Sequence, residues 1–257
     1  DASKWELPND LLMRQARRVP GVRKVLVASG IRMDLARRSP TYIDELAAHH
    51  VGGHLKVAPE HVDAQVLEKM KKPANIDFEG FAEEFQRASR RGGKPKQYLV
   101  PYFIASHPGS DLEAMIELAL FLKRHGYRPD QVQDFIPAPM DVATSMYYTG
   151  LDPRTLEPVT VAKKMRDRRF QRALLQFFKP ENYFEVRKAL VQAGRTDLIG
   201  GGCDALIPAT PPKEALTARR EKANQALSGE YVHKPPQPAR AKRGYRPQRR
   251  VHGRRER

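Results

Sequence analysis

Cysteine is almost absent from this chain, and other common features are missing as well. One cysteine in 257 residues allows no intrachain disulfide, and no metal or cluster site built from the chain's own thiolates. The longest mainly apolar stretch, residues 114–122, is interrupted by Glu117 and falls well short of the ~20 residues that a membrane span requires. The sequence also begins without an initiator methionine and without an apolar signal core. These absences predict a cytoplasmic protein with no membrane segment, and a sequence that is a fragment of a longer one.

Positive charge is abundant but unevenly distributed. The chain has 46 Lys and Arg against 30 Asp and Glu, and residues 213–257 alone contribute +10 of the net charge of +16. The last part of this segment, residues 231–257, combines proline, glycine and positive charge, a composition that predicts disorder, so residues 213–257 are predicted to form a basic and largely disordered tail. One interpretation is an arm attracted to RNA phosphates, with Tyr231 and Tyr245 available to stack on bases. The other is a solubilising tail with weak, salt-sensitive affinity for polyanions, and the composition is compatible with both.

Helices and strands alternate in the first part of the chain. Short apolar or β-branched runs predict strands at residues 22–28, 54–58, 97–104 and 131–136. Helical spacing and cap residues predict helices at 7–18, 39–50, 64–70, 77–91 and 111–125. The helix at 77–91 is expected to place Phe78, Phe81, Phe85 and Ala88 on one face. Such alternation predicts parallel strands joined by right-handed crossovers, hence an α/β fold arranged as a barrel or an open sheet.

The pattern changes after Gly150, where the strands stop. Proline-punctuated residues lead to two predicted helices, at 162–178 and 181–192. We therefore expect three parts: an α/β domain over residues 1–150, a small helical domain over 151–212, and the basic tail over 213–257.

The residues that follow the predicted strands lie at the edge where parallel α/β folds carry their chemistry. The first three strands are followed by polar or turn-forming residues, which are the candidates: Ser29, Arg32, Glu60, His61, Ser106, His107 and Gly109. A purely structural explanation exists for several of them. Arg32 can pair with Asp34, an acid at residue 60 suits a helix start, and Pro108-Gly109 is an ordinary turn. Taken together, however, they predict a functional edge.

Several familiar sites are excluded by spacing. Adjacent Ser106 and His107 point in different directions from an extended backbone, and no Gly-x-Ser-x-Gly turn presents a nucleophile, so a hydrolase triad is rejected. A single cysteine allows no Cys-x-x-Cys spacing for zinc, and no glycine-rich loop with phosphate-binding spacing follows a strand. Cys203 has no histidine or helix start beside it, which favours a structural or incidental thiol over a nucleophile.

Four long runs of the sequence resemble the YgiQ family of radical S-adenosylmethionine proteins. They are VASGIRMD at 27–34, HHVGGHLKVAPEH at 49–61, KQYLVPYFIASHPG at 96–109 and DQVQDF at 130–135. MYYTG at 146–150 and GRTDLIG at 194–200 are similar to the passage into that family's own C-terminal domain. The resemblance extends to about residue 208, and runs this long and irregular are far more specific than a short motif.

The resemblance implies a partial (β/α) barrel in which a [4Fe-4S] cluster binds and reductively cleaves S-adenosylmethionine. The family's Cys-x-x-x-Cys-x-x-Cys loop is absent here, because the single Cys203 cannot supply three cluster ligands. The chain therefore looks like the C-terminal half of the barrel, over residues 1–150, followed by the accessory domain. The cluster ligands would lie outside this chain, and the chain alone is expected to be inactive.

Provisional roles follow from the chemistry of S-adenosylmethionine. Its carboxylate suits a cation, Arg32 or Lys56, and its ribose diol or amino group suits Glu60. A ribose hydroxyl could contact Ser29 or Ser106.

The remaining candidates concern the adenine ring and the turn beneath it. Tyr102, Ile104 and Phe135 could form an apolar or stacking wall for adenine. By analogy with related radical enzymes, the turn that contains His107 should approach the nucleoside, with Gly109 giving access to the backbone.

Three hypotheses about function result. The first is a radical enzyme whose substrate the sequence does not identify. The second is an RNA-modifying radical enzyme related to methylthiotransferases, suggested by the basic tail and by the third strand with its Pro-Gly turn. The third is an RNA-binding module without catalysis.

Overall fold

The computed structural model describes residues 8–73, 77–129 and 132–226. It begins with helix α1, Pro8–Arg18, which the sequence predicts within one residue. Helix α2, Met33–Ala36, and helix α3, Pro40–Glu45, follow, and α3 continues as a π-helix, Leu46–His50. The predicted N-cap is confirmed, because the Ser39 hydroxyl accepts a hydrogen bond from the Tyr42 N–H at 3.4 Å.

The first predicted strand, residues 22–28, is wrong. The segment forms no strand, and Val22 and Leu26 are largely exposed. It is held instead by the end of the π-helix, where the His50 ring lies 2.8 Å from the Val25 carbonyl and the Val27 N–H donates to the His50 carbonyl. Only Ile31, farther along, makes a parallel bridge to Val57. A run of β-branched residues becomes a strand only when another backbone pairs with it, and here that pairing is limited to one residue.

A parallel sheet in chain order forms the centre of the fold. Its strands are β1, His54–Glu60, β2, Tyr98–Ala105, and β3, Gln133–Asp134. The crossovers contain helices α4, Ala64–Lys69, α5, Phe78–Arg91, and α6, Leu112–Arg124. The predicted α/β class with parallel strands is confirmed. β3 is shorter than the predicted strand at 131–136, of which residue 131 lies outside the described ranges.

The two faces of the sheet differ in what covers them. Leu55 and Val57 of β1 and Phe103 and Ala105 of β2 are buried on one face, where the helices pack. The alternating residues, including Lys56 and Tyr98, lie on the other face and are partly or largely exposed to solvent in the part of the chain that the structure describes.

The helices pack in two core clusters. The α5 cluster joins α3, α5 and β1, and it buries Phe78, Phe81, Phe85 and Ala88 as the spacing predicts. The α6 cluster joins α6, the end of β2 and two later helices. Phe121 and Tyr127 pack against both clusters.

The later helices are α7, Val142–Thr149, α8, Met165–Leu175, and α9, Tyr183–Gln192, with short 3-10 turns at Pro180–Asn182 and Thr196–Leu198. Leu174 of α8 and Leu190 of α9 are buried in the α6 cluster together with Phe103 of the sheet. Residues 1–215 form one compact unit. The division of the chain at residues 150 and 212 stays a prediction.

The predicted tail begins as a helix. Residues 213–226 form α10, Lys213–Ala226, which ends before residues 231–257, the part whose composition predicts disorder. Its 14 residues include several good helix formers and no proline or glycine. Residues 227–257, with Tyr231 and Tyr245, lie outside the described residues, and the RNA-binding arm stays a prediction. Within the described ranges, no helix combines the length and apolar character needed to cross a membrane.

Candidate functional site

A cleft of about 420 Å³ opens at the carboxyl ends of the three strands. We call it the strand-end cleft. It is lined by Glu60, residues 69–72, Ile104, His107, residues 133–136 and residues 141–143. Four of the residues predicted for the site are among them: Glu60, Ile104, His107 and Phe135. They come together because parallel strands end at one edge of the sheet.

Glu60 stands in a strained turn at the end of β1. Its φ is 68°, and the His61 N–H donates to the Pro59 carbonyl at 2.8 Å, which closes a three-residue turn around Glu60. A non-glycine residue with positive φ in such a turn is rare and costs energy. Lys72 holds the turn, since its ammonium donates to the Ala58 carbonyl at 2.5 Å and to the Glu60 carboxylate at 3.2 Å. Burial lowers the pKa of Lys72, although Glu60 opposes this effect.

A second strained turn follows β2. Ser106 has a φ of 65° and is buried, and His107 is also buried. The His107 Nδ1–H donates to the Pro108 carbonyl at 2.8 Å, so Nε2 is the unprotonated acceptor nitrogen of the ring. Burial lowers the pKa of His107, which keeps the imidazole neutral near pH 7.

Gly109 completes this turn with a φ of 92°. A Cβ at this position would stand 3.1 Å from the Lys69 Cγ, so a side chain would be crowded as well as strained. The Gly109 N–H donates to the Thr160 carbonyl at 2.8 Å, and this donor is therefore already occupied within the protein.

Among the described residues, three buried side-chain polar atoms at this edge have no hydrogen-bond partner: His61 Nε2, Ser106 Oγ and Asp134 Oδ1. Each belongs to the last residue of a strand or to the residue directly after one. Buried polar groups are normally satisfied, so three exceptions at one edge of a sheet mark a place where a ligand or bound water is expected.

The protonation of two of these groups follows from their surroundings. His61 Nδ1 accepts a hydrogen bond from the Asp63 N–H at 3.0 Å, and its proton is therefore on Nε2. Burial lowers the pKa of His61 to about 4, so the ring is neutral at pH 7. Burial raises the pKa of Asp134, and the charge of Arg172, whose guanidinium lies 3.2 Å from Oδ2, opposes the rise.

The other predicted residues do not all reach the cleft. Ser106 and Gly109 belong to the turn after β2 that carries His107. Ser29 is exposed, and Arg32 forms two hydrogen bonds with Asp34, at 2.6 and 3.1 Å. Arg32 therefore pairs with Asp34 in this structure, which is the purely structural explanation given for it above.

Lys56 and Tyr102 line a different hollow, which we call the sheet-face pocket. It measures about 450 Å³, lies on the open face of the sheet, and is lined by His54, Lys56, residues 98–102 and residues 127–129. The Lys56 ammonium lies 5.6 Å from the centre of the Tyr102 ring, and the His54 and Tyr98 rings are 5.8 Å apart. Tyr98 is 58% exposed, so this pocket is open to solvent.

Sequence reasoning missed Asp134 and Lys72 at the cleft. Asp134 is the one acidic residue in the predicted strand at 131–136, and this is the signal in the sequence that could have identified it. Lys72 follows helix α4 in a run of basic residues, where lysine is common at helix C-termini and carries no specific signal.

The resemblance implies two groups, S-adenosylmethionine and a [4Fe-4S] cluster, and the polar and apolar residues of the cleft fit only the first. Glu60, which spends one oxygen on Lys72, and the unpartnered Asp134 Oδ1 are acceptors for an ammonium group or a ribose diol, and Phe135 and Ile104 offer an apolar wall to a base. These features fit S-adenosylmethionine. The residues do not fit a [4Fe-4S] cluster, because Cys203 is the chain's one cysteine and, in the described ranges, no group of three or more His, Cys, Asp or Glu could hold a metal ion.

Comparison with known proteins gives two kinds of match, a family model and individual relatives. A family model described as "Domain of unknown function (DUF3362)" matches residues 130–254. The chain is 47% identical over 222 residues to the UPF0313 protein YgiQ of Salmonella typhimurium, covering 84% of this chain and 31% of the relative.

Other relatives agree. The UPF0313 protein YgiQ of Escherichia coli K12 is 46% identical over 222 residues, which are 84% of this chain and 30% of that protein. A UPF0313 protein of Chromobacterium violaceum is 47% identical over 222 residues, covering 84% of this chain and 29% of its own length. The chain thus spans about 30% of the length of the curated relatives that it matches.

Proposed function

The chain belongs to the UPF0313 (YgiQ) family, and from this premise we propose that its strand-end cleft binds S-adenosylmethionine as part of a radical enzyme. The observation that carries the proposal is the meeting of two carboxylates, a neutral imidazole and an apolar ring at the carboxyl ends of three parallel strands. We propose in addition that the ligands of the [4Fe-4S] cluster lie outside this chain. The exposed, unpaired Cys203 supports a reducing compartment, and we propose the cytoplasm.

Several residues of the cleft have a part in binding. Asp134 Oδ1 and the free oxygen of Glu60 accept hydrogen bonds from the ribose diol and the ammonium group. Phe135 and Ile104 pack against adenine and exclude water from it. Lys72 keeps the Glu60 carboxylate in place, and the adjacent Lys71 supplies positive charge for the ligand's carboxylate.

His107 serves as a neutral hydrogen-bond acceptor at Nε2. Its Nδ1–H is committed to the Pro108 carbonyl, which fixes the tautomer and the ring orientation. When bound and reductively cleaved, S-adenosylmethionine supplies carbon-radical chemistry, and the protein's task is to hold it still and dry. The residues of this chain bind and orient the ligand in this proposal.

Isosteric variants in a full-length UPF0313 protein that carries these residues test the proposal. Glu60→Gln and Asp134→Asn keep the shape of the side chains and remove their charge. Since a hydrogen bond to a charged group contributes about 1.5–3 kcal/mol, we expect S-adenosylmethionine to bind about 10–100-fold more weakly by calorimetry. Glu113→Gln, an exposed carboxylate in the first turn of α6, is the matched control and should bind as the wild type does. Unchanged affinity in both cleft variants would refute the proposal.

A further inference from the structure

Helix α8 directs two guanidinium groups at the end of β3. Arg168 donates to the Phe135 carbonyl at 2.8 Å, and Arg172 lies 3.2 Å from the Asp134 carboxylate. The two arginines are four residues apart and therefore share one side of the helix. One helix thus contacts two consecutive residues, Asp134 and Phe135, of the four that line the strand-end cleft at the end of β3.

Gln171, on the same side of α8, holds the turn after β2. It is buried, and its carbonyl oxygen accepts from the Ser106 N–H at 2.7 Å and from the Ser110 hydroxyl at 3.3 Å. Its amide nitrogen donates to the Ser110 carbonyl at 2.8 Å. Gln171 therefore satisfies three polar groups of a turn that contains the strained Ser106 and the cleft residue His107.

These contacts are separate from the packing of the helix. Phe170, Leu174 and Leu175 bury α8 in the α6 cluster, as an amphipathic helix requires. A buried glutamine adds nothing to such packing and is costly unless its hydrogen bonds are made. All of the observed hydrogen-bond partners of Gln171 belong to the turn after β2. Its side chain therefore stabilises the backbone at the edge of the cleft.

We propose that Arg168, Gln171 and Arg172 are positioning residues, through which helix α8 fixes the walls of the strand-end cleft for its ligand. The identity of that ligand rests on the proposed function, whereas the positioning does not. Helix α8 lies within residues 130–254, the stretch matched by the domain of unknown function. The proposal gives this part of the family's sequence a role in building the ligand site.

The first test uses the ligand-free 257-residue chain. Gln171→Met keeps a side chain of similar length without hydrogen bonds, and we expect amide hydrogen exchange at Ser106 to accelerate at least tenfold, while exchange in α5 stays unchanged. Leu175→Ala is the control, because it weakens the same helix from its core side. Leu175→Ala should not accelerate amide hydrogen exchange at Ser106 more than at the other amides of the α6 cluster. Unchanged exchange at Ser106 in Gln171→Met would overturn the proposal.

The second test follows the Asp134 carboxylate by NMR titration and remains informative if Gln171→Met does not fold. Arg172→Met removes the opposing positive charge, so the pKa of Asp134 should rise, and Arg172→Lys should restore most of the wild-type value. Arg169→Met, an exposed neighbour on the same helix, should leave the titration unchanged. No rise in Arg172→Met, or an equal rise in Arg169→Met, would contradict the proposal.

A binding measurement separates this proposal from the proposed function. In the full-length protein we expect S-adenosylmethionine to bind about tenfold more weakly to Gln171→Met and to Arg172→Met, and normally to Arg169→Met. If Asp134→Asn weakens binding but these two variants do not, the positioning role is wrong. If the exchange and titration change as expected while Asp134→Asn binds normally, the positioning stands and the proposed ligand is wrong.

Discussion

The strand-end cleft and the sheet-face pocket are close in volume, about 420 and 450 Å³, and they lie along the same strands. Their construction differs. At the edge of the sheet where the cleft opens, Glu60 and Ser106 adopt positive φ, and three buried polar atoms of the described residues have no partner. At the pocket, Tyr98 is exposed and Lys56 already has a ring to lie over. Strain and unsatisfied polar groups persist only where surrounding structure maintains them, so they distinguish a ligand site better than volume does.

The largest expected effect comes from replacing one histidine in each region, His61 beside the cleft and His54 at the pocket, and measuring how stability depends on pH. His61, beside the cleft, has a pKa of about 4 when folded and about 6.5 when unfolded, so between these values only the unfolded chain binds the proton. Stability is therefore lost as the pH falls from 6.5 to 4, by about 3 kcal/mol in total. We expect His61→Gln to remove that loss in urea unfolding measured across this range.

The pH dependence must be read as a difference between variants. Asp63, His107 and Asp111 act on His61, and Asp134, whose folded pKa is raised, contributes with the opposite sign because acid favours its folded form. These groups remain in both proteins and cancel in the comparison. His54→Gln, which removes an exposed imidazole at the pocket, is the matched control. If His61→Gln and His54→Gln change the pH dependence of stability equally, the burial of His61 beside the cleft is not the cause of the loss of stability in acid.

A pair of glycine substitutions, with an intermediate expected effect on stability, sharpens the comparison of the two regions. Gly109→Ala forces a side chain into positive φ at 3.1 Å from Lys69, and we expect a loss of about 2 kcal/mol in urea unfolding. Gly53→Ala, next to the pocket, places its Cβ in open space and should change stability by less than about 0.5 kcal/mol. Equal losses would show that the turn after β2 is no more constrained than the start of β1.

The smallest effect concerns the pocket itself. Lys56→Met and Tyr102→Leu, alone and together, form a double-mutant cycle on the cation–π contact, for which we expect a coupling of about 0.5 kcal/mol. Neither change should alter binding of S-adenosylmethionine by the full-length protein. If Lys56→Met weakens that binding as much as Asp134→Asn does, the distinction between the two regions fails.

Much of the fold could be predicted because its signals are local. Helix α5 follows from the spacing of its three phenylalanines, and the meeting of Glu60, Ile104, His107 and Phe135 follows from the rule that parallel strands end at one edge. The strand predicted at 22–28 failed because β-propensity does not supply a pairing partner.

The site could be predicted only in part. Arg32 pairs with Asp34, two residues away, and strand alternation places Lys56 and Tyr102 on the open face beside the sheet-face pocket. Arg168, Gln171 and Arg172 reach residues that are 33 to 65 positions distant along the chain. No spacing pattern in a single sequence links a helix to strand ends so far away.

Phe121 connects the two core clusters directly. Its ring lies 6.4 Å from Phe78 of the α5 cluster and 6.3 Å from Phe103 of the α6 cluster. Tyr127 adds a second link, at 5.2 Å from Phe78. Damage to either cluster is therefore transmitted to the other, and the described residues up to Ala215 should unfold as one cooperative unit with a single denaturation midpoint.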